Sequence, residues 1–228
     1  MFKSKLFLSL TGAALLLGGI NSAKAITLAD LISGGGFLDS GDKRFSEFFY
    51  ARVGDMPAAS AITVVPITDI YGNYGLRFLG NFHDIAGGSA SDGLIKYMVS
   101  VTDPNRFLSD AHIVGNPSVV GGSGAMQVSE TFLPEDGVHD MSIFALNDGT
   151  GNSNSQLSDT SLLSGNLTGL HVQKDIFAFS GTGFASMSYV DQTFSQGFRN
   201  VPEPGSLALM GAGVIGSLGM FSRRRKKA

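Results

Sequence analysis

Residues 93–101 read GLIKYMVSV, and their side chains alternate between the two faces of an extended strand. Ile95 and Val99 fall on one face, while Lys96 and Ser100 fall on the other. This period of two is typical of a strand that packs one face against a core. The same alternation, bounded by Gly, Asn, Asp or Pro, recurs along the chain. It predicts strands at 44–53, 61–70, 76–82, 93–101, 107–114, 126–132, 141–146, 170–179 and 184–194.

Nine short strands without intervening helices predict an all-β fold, an antiparallel β-sandwich of jelly-roll type. No linker interrupts residues 26–197, so we expect one domain there. A short N-terminal helix should precede the strands, with Thr27 as N-cap and the glycines at 34–36 as its end. The polar run 147–155 should be a solvated loop. The expected core aromatics are Phe45, Phe49, Phe78, Phe82, Phe177 and Phe179.

Composition excludes several classes of function. The chain has 228 residues, of which 43% are hydrophobic, and it contains no cysteine. Disulfides, thiolate metal sites and cysteine nucleophiles are therefore excluded. Eight basic against eighteen acidic residues between positions 26 and 200 give this region a formal charge of −10. Because such a region repels phosphate backbones, nucleic acid is not expected as a partner.

The N-terminus has the order of features that marks an export signal. Two lysines precede an apolar run at 6–20, and Ala23 and Ala25 supply small residues at a signal-peptidase site. We therefore predict that residues 1–25 are a signal peptide and that Ile26 is the mature N-terminus.

The C-terminus predicts a second membrane segment. A linker at 198–205 is followed by an apolar segment at 206–222 and by a basic tail at 223–228. At about 1.5 Å per residue, the sixteen residues 206–221 span roughly 24 Å, somewhat less than the ~30 Å hydrocarbon core. The basic tail should stay in the cytoplasm and hold the domain on the other side.

This C-terminal order resembles the PEP-CTERM sorting signal of Gram-negative bacteria that make extracellular polysaccharide. The resemblance implies that an exosortase, an integral-membrane cysteine protease, cuts near the motif and releases or transfers the domain. The two prolines keep the chain extended outside the bilayer, where a protease could bind it. The matching residues are Pro202, Glu203, Pro204, Arg223, Arg224 and Arg225.

Parts of the domain resemble a group of PEP-CTERM proteins as well. The similar stretches are 34–50, 62–67, 75–78 and 190–196. This second resemblance implies a shared fold and no particular chemistry.

Nucleophilic catalysis finds little support in the sequence. The four histidines lie 27 or more residues apart, and only His112 has a carboxylate, Asp110, on the same face of its strand. We interpret that pair as a surface contact. The glycine-rich run 121–125 lacks the last glycine of a nucleophile elbow, and 181–183 is read as a hairpin turn.

Two further chemistries remain open. Glu130, Glu135 and Asp136 are close in sequence and could serve a secreted glycan hydrolase, although Glu130 is expected to point outward from its strand. A calcium ion is the one cofactor that the sequence suggests. Its oxygen ligands would be Asp148, Thr150, Asn152 and Asp159, at positions 1, 3, 5 and 12 of an EF-hand-like loop whose required glycine is replaced by Ser153.

These observations favour a noncatalytic, exported structural or interaction module, associated with exopolysaccharide at the cell surface or in the extracellular matrix. Its precursor would be anchored transiently in the inner membrane and processed by signal peptidase and exosortase. The alternatives are a glycan-binding module and a secreted glycan hydrolase. The tyrosines available to stack on sugar rings are Tyr50, Tyr71, Tyr74 and Tyr97.

Overall fold

The computed structural model describes residues 25–133 and 141–199. Most of the predicted signal peptide lies outside these residues, as do the Pro-Glu-Pro motif, the predicted transmembrane helix and the basic tail. Within the described part of the chain, no helix has the length and hydrophobicity needed to cross a bilayer.

Strands dominate the described residues. In chain order the elements are β1 (Ile26–Thr27), α1 (Leu28–Ser33), β2 (Leu38–Ser40), β3 (Lys43–Val53), a 3-10 turn (Ala59–Ala61), β4 (Thr63–Thr68), β5 (Tyr74–Ile85), β6 (Ser91–Val101), β7 (Arg106–Gly115), β8 (Ser118–Val120), β9 (Gly124–Leu133), β10 (Met141–Asn147), β11 (Ser153–Gln156), β12 (Ser158–Leu167), β13 (Gly169–Ser180) and β14 (Phe184–Phe198).

The strands form two antiparallel sheets, each with seven strands among the described residues. The first sheet has the order β1-β4-β5-β14-β7-β12, with β8 also paired to β14, and the second has the order β11-β10-β9-β13-β6-β3-β2. Strand β5 pairs with β14, β6 with β13, β7 with β12 and β9 with β10. This nested pairing is the arrangement that a jelly roll has. The predicted antiparallel sandwich and all nine predicted strands are confirmed.

The N-terminal helix forms for the reason that the sequence indicates. Thr27 Oγ1 accepts a hydrogen bond from the Asp30 amide at 3.1 Å and donates one to the Asp30 carboxylate at 2.7 Å. The helix ends at Ser33, and the Gly34 amide then bonds to the Asp30 carbonyl. Both the predicted cap and the predicted glycine stop are confirmed.

Five strands were not predicted from the sequence, namely β1, β2, β8, β11 and β12. Strand β11 begins inside the run 147–155 that we expected to be a loop throughout, and only 148–152 is irregular. Strands β11 and β12 lie at the edges of their sheets. An edge strand pairs through its backbone on one side and can leave many side chains in water, so its sequence need not alternate.

The core lies between the sheets and is rich in aromatic contacts. Phe78 of the first sheet packs against Tyr97 of the second with ring centroids 5.7 Å apart. Phe194 of the first sheet likewise lies 6.3 Å from Phe45 and 6.4 Å from Phe132. Each such side chain contributes about 1.5–3 kcal/mol when fully buried. These inward-facing rings pack across the space between the sheets together with buried aliphatic side chains.

Three of the six predicted core aromatics are correct, namely Phe45, Phe78 and Phe82. Phe49, Phe177 and Phe179 are 48%, 37% and 41% exposed, so the prediction for them is wrong.

The wrong predictions have different causes in the two strands concerned. In β3 the register shifts between Ser46 and Phe49, around Glu47 at φ 58°, and this bulge buries Phe48 in place of Phe49. In β13 the alternation places Ile176 and Ala178 inside, so both phenylalanines of that strand lie on the outer face.

Two buried lysines connect the sheets. Lys43 of β3 donates to Gln196 of β14 and to Asp42, which lies 2.9 Å from its Nζ. Lys174 of β13 donates a hydrogen bond to Gln192, which lies in β14 as Gln196 does. Both lysine side chains are fully shielded from solvent. A buried cation costs desolvation energy unless it is paired, so these contacts fix the relative position of the sheets.

Candidate functional site: a groove on the outer face of the first sheet

A row of polar side chains crosses the outer face of the first sheet. Asp191 of β14 lies opposite Arg77 of β5, Thr193 lies opposite His112 of β7, and His112 lies opposite Thr160 of β12. These residues face outward because the alternate positions of the same strands fill the core. Four neighbouring strands thus supply one continuous polar surface.

Arg77 and Asp191 form a bidentate ion pair in this row. The Arg77 guanidinium donates two hydrogen bonds to the Asp191 carboxylate, at 2.6 and 2.7 Å. The ring of Tyr189 lies 4.6 Å from Arg77 Cζ. Hydrogen bonding to Asp191 raises the pKa of Arg77 above its ordinary value. The bidentate geometry orients both groups and leaves carboxylate lone pairs for a ligand.

The loop between β4 and β5 borders this surface and is organised by Asp69. Its carboxylate accepts hydrogen bonds from the amides of Tyr71 and Asn73, both at 2.9 Å. It also accepts the Thr193 hydroxyl at 2.9 Å, which ties the loop to β14. Ile70 and Tyr71 consequently project into solvent and are 91% and 80% exposed.

Burial by itself would raise the pKa of the Asp69 carboxyl. The hydrogen bonds from Asn73, Thr193 and Tyr71 outweigh burial and hold that pKa below its ordinary value. Asp69 therefore stays ionised and keeps the loop in place at neutral pH.

The loop and the far strands enclose a groove of about 690 Å³. This volume lies within the range of small-ligand sites in proteins. The groove is lined by Ile67, Thr68, Asp69, Ile70 and Tyr71, by Arg77, Asp191, Thr193 and His112, and by Ile113, Val114, Ser158, Asp159 and Thr160.

The predicted pair Asp110–His112 is brought together at one end of the polar row. His112 Nε2 lies 2.6 Å from Asp110 Oδ1 and 3.1 Å from Ser195 Oγ, while Nδ1 lies 3.1 Å from Thr160 Oγ1. A nucleophilic triad needs the carboxylate and the hydroxyl on opposite ring nitrogens. Here both contact Nε2, so the arrangement suits binding and does not suit activation of Ser195.

The two glycine-rich turns contact each other. The Ser123 carbonyl accepts hydrogen bonds from the amides of Gly181, Thr182 and Gly183. The run 121–125 therefore closes one end of the sandwich and presents no strand-to-helix elbow.

The outward orientation predicted for Glu130 is wrong. Its side chain is 1% exposed and lies between the sheets, 3.0 Å from Lys174 Nζ. In β9 it shares the inward face with Val128 and Phe132, so the alternation of the strand itself indicates an inward orientation. Glu135 and Asp136 lie outside the described residues, so no hydrolytic pair with Glu130 can be assembled from the described part.

The four predicted calcium ligands do not all come together. The Asp148 carboxylate accepts hydrogen bonds from the Thr150 amide at 2.7 Å and from Asn152 Nδ2 at 2.7 Å. These bonds lower the pKa of Asp148 to about 2.

Asp159 lies elsewhere, because its carboxylate accepts the Ser142 amide at 2.9 Å. Ser142 is near the start of β10, whereas Asp148 follows its end, so roughly 20 Å of extended strand separates them. Within the described ranges, no group of three or more His, Asp or Glu side chains is placed to hold a metal ion.

Of the four tyrosines considered for stacking on sugar rings, one lies at the groove and is open to solvent. Tyr71 is that residue. Tyr97 is buried in the core, and the Tyr50 hydroxyl donates to the Pro57 carbonyl at 2.9 Å. Tyr74 lies beneath Lys43, whose Nζ is 5.6 Å from the ring centroid. Sequence reasoning missed Arg77, Asp191 and Thr193, because these residues belong together only through strand pairing.

The solved structures that this chain resembles include two distant ones. One is a complex of TmCBM61 with β-1,4-galactotriose, at 11% identity and a TM-score of 0.31, covering 64% of this chain and 88% of that chain. The other is the enzymatically active domain of tailspike protein 4 from bacteriophage CBA120, at 12% identity and a TM-score of 0.27. It covers 65% of this chain and 19% of that chain. Likenesses at this level indicate nothing about the ligand of this chain.

The C-terminal segment gives a specific match. A search of curated proteins gave no match for the chain. Residues 200–226, however, match the family model described as the PEP-CTERM protein-sorting motif. This span includes every sorting residue predicted from the sequence, from Pro202 to Arg225, and implies that the chain is exported and processed. The chain therefore carries a PEP-CTERM protein-sorting motif at its C-terminal end.

Proposed function

We propose that the exported domain is a noncatalytic interaction module of the cell surface or extracellular matrix, and that its groove binds extracellular polysaccharide. The observation that carries the proposal is the groove itself. An exposed tyrosine ring at its rim accompanies a row of fixed hydrogen-bonding groups from four strands.

The charges of the groove favour a neutral, hydroxyl-rich ligand. Its lining contains Asp69, Asp159 and Asp191 against one guanidinium, Arg77, which is already paired. A polyanion would be repelled by these carboxylates and by the acidic domain around them. Sugar hydroxyls, in contrast, can donate to the carboxylates and accept from the guanidinium, while the face of a sugar ring packs against Tyr71.

Sorting and binding fit together in this proposal. An exosortase would recognise the C-terminal motif, cut near Glu203 and place the domain outside the inner membrane. Thr193 is the last residue of β14 that lines the groove, and the strand continues for five more residues to Phe198, so a tether beyond Phe198 begins roughly 16 Å along the strand from the groove. Signal peptidase would act at the other terminus.

Titration of the exported protein with extracellular polysaccharide of its own host tests the proposal. We expect binding, and we expect Tyr71→Ala and Arg77→Met each to weaken it about tenfold, which corresponds to about 1.4 kcal/mol. The control is Phe37→Ala, which removes an aromatic ring that is 53% exposed and lies outside the groove. Absence of binding, or equal loss in the control, would contradict a groove-specific site. Shortened polysaccharide chains would instead indicate a hydrolase.

A further inference from the structure

A second cluster of polar groups lies in the interior of the sandwich, away from the groove. Lys174 of β13, Glu130 of β9 and Tyr97 of β6 come from the second sheet, and Gln192 of β14 comes from the first. Their exposures are 0%, 1%, 1% and 0%. Aromatic rings surround the cluster, since Tyr97 packs against Phe45, Phe48 and Phe78.

The Lys174 amine lies between the carboxylate of Glu130 and the side-chain amide of Gln192. Lys174 Nζ lies 3.0 Å from Glu130 Oε2 and 3.0 Å from Gln192 Oε1. Glu130 and Lys174 are direct cross-strand partners, so their proximity is fixed by the register of β9 and β13. Gln192 approaches from the opposite sheet. The amine thus lies beside both a carboxyl and an amide carbonyl, in a volume that water does not reach.

Noncovalent pairing leaves this cluster incompletely satisfied. Three of its buried atoms, Glu130 Oε1, Gln192 Nε2 and Tyr97 Oη, have no hydrogen-bond partner among the described residues. A buried donor or acceptor without a partner loses its hydration and gains nothing in return. In particular, the amide nitrogen of Gln192 is held by no hydrogen bond, so its departure would break none.

We propose that Lys174 and Gln192 become joined by an amide bond between Nζ and Cδ, formed within the folded protein with Glu130 as proton carrier. The bond would link the two sheets covalently. It differs from the proposed function in place and in chemistry, since it involves the core and no external ligand.

The reaction balances without any other reactant. Lys174 gives its excess proton to Glu130, and the freed lone pair on Nζ attacks Cδ of Gln192. Glu130 then donates a proton to Nε2 and takes one from Nζ. The Cδ–Nε2 bond breaks and ammonia leaves. One amine and one primary amide become one secondary amide and one ammonia molecule, and Glu130 ends protonated.

The surroundings favour the protonation states that this step needs. Burial lowers the pKa of Lys174 and raises that of Glu130, and the attraction between the two charged forms offsets only part of each effect. A neutral amine is the nucleophilic form of lysine, and a neutral carboxyl is the form that donates a proton. Burial also raises the pKa of Tyr97, which is raised further by neighbouring Glu130.

A covalent bond here would have a physical role. The chain has no cysteine, so disulfides cannot reinforce it outside the cell. A bond from β13 to β14 would prevent the two sheets from separating even where their packing loosens.

Peptide mapping of the full chain tests the proposal directly. Cleavage before aspartates and after arginines separates fragment 159–174 from fragment 191–199. We expect the two fragments to appear joined, with a mass about 17 Da below their sum, which is the loss of one ammonia. Recovery of both fragments separately and at full mass would overturn the proposal, whatever the stability of the protein.

Substitution tests the role of Glu130. Glu130→Gln keeps the shape of the side chain and removes the proton carrier, so we expect the joined fragment to disappear in a protein whose circular dichroism is unchanged. The control Glu47→Gln changes an exposed carboxylate of the same sheet and should leave the joined fragment in place. A joined fragment in Glu130→Gln would show that Glu130 is not the proton carrier. If Glu130→Gln does not fold, the wild-type map still decides whether the bond exists.

Discussion

Asp69 shows how one residue shapes the groove. Its carboxylate holds the backbone of its own loop and reaches Thr193, which lies 124 positions later in the chain. Without these bonds the loop would lose its orientation, and Tyr71 would no longer lie at the rim.

We expect Asp69→Asn to lower the free energy of unfolding by about 1–3 kcal/mol at neutral pH, since an amide nitrogen then faces two donors. The pKa of Asp69 is lowered in the folded state, so this stabilisation is present above the ordinary value of 3.8 and is lost as the pH falls through the lower folded value. Urea unfolding at neutral pH and well below pH 3.8 checks both points.

In the matched control Glu47→Gln, an exposed carboxylate 3.9 Å from His171 is lost, and the change should stay below about 0.5 kcal/mol. A difference between Asp69→Asn and wild type that persists undiminished in acid would contradict the assigned role of the carboxylate.

At the scale of the elements, the close approach of β5 and β14 depends on a residue without a side chain. A Cβ atom at Gly75 would lie 1.8 Å from the Gln192 carbonyl oxygen, which is backbone and cannot move independently. Gly75 is therefore required where the two strands pair beside the groove and beside Gln192.

We expect Gly75→Ala to destabilise the domain by more than about 2 kcal/mol, because β5 and β14 must separate to admit the methyl group. The control is Gly88→Ala, where the nearest atom would lie 3.7 Å away at ordinary contact distance. Thermal unfolding of both variants checks this prediction. Equal midpoints for the two variants would show that the strands adapt more easily than their backbone contact indicates.

The scale of the element also explains which sequence inferences succeeded. Glu130, Lys174 and Gln192 each have apolar neighbours two positions away on both sides, such as Val190 and Phe194 around Gln192. The alternation of side chains along each strand therefore places all three residues inside the sandwich. Charged residues are rarely buried without a partner, and Glu130 can follow the alternation into the core because Lys174 supplies that partner.

For the whole molecule, the two predicted processing sites lie just outside the folded strands. Strand β1 begins at Ile26, directly after the predicted signal peptide, and β14 ends at Phe198, four residues before Pro202. Ile26 pairs with Val64, so the predicted new N-terminus is already part of the first sheet. Cleavage at both sites would leave the described sandwich complete.

We therefore expect mass spectrometry of protein isolated from the cell surface to find Ile26 at one terminus and a residue close to Glu203 at the other. Loss of the host's exosortase should leave the N-terminus unchanged and retain the segment from Arg223 onward. A surface form that still carries this basic tail in wild-type cells would contradict processing at the sorting motif.

The sorting motif, the sandwich class, the helix cap and the nine principal strands can be predicted from the chain alone, because each depends on residues close together in it. The pairing of Arg77 with Asp191, that of His112 with Thr193, and the position of Lys174 between Glu130 and Gln192 are seen only in the folded molecule. A period of two fixes the face on which a side chain lies but not the strand that pairs beside it. The groove and the interior cluster both arise from such pairings between distant parts of the chain.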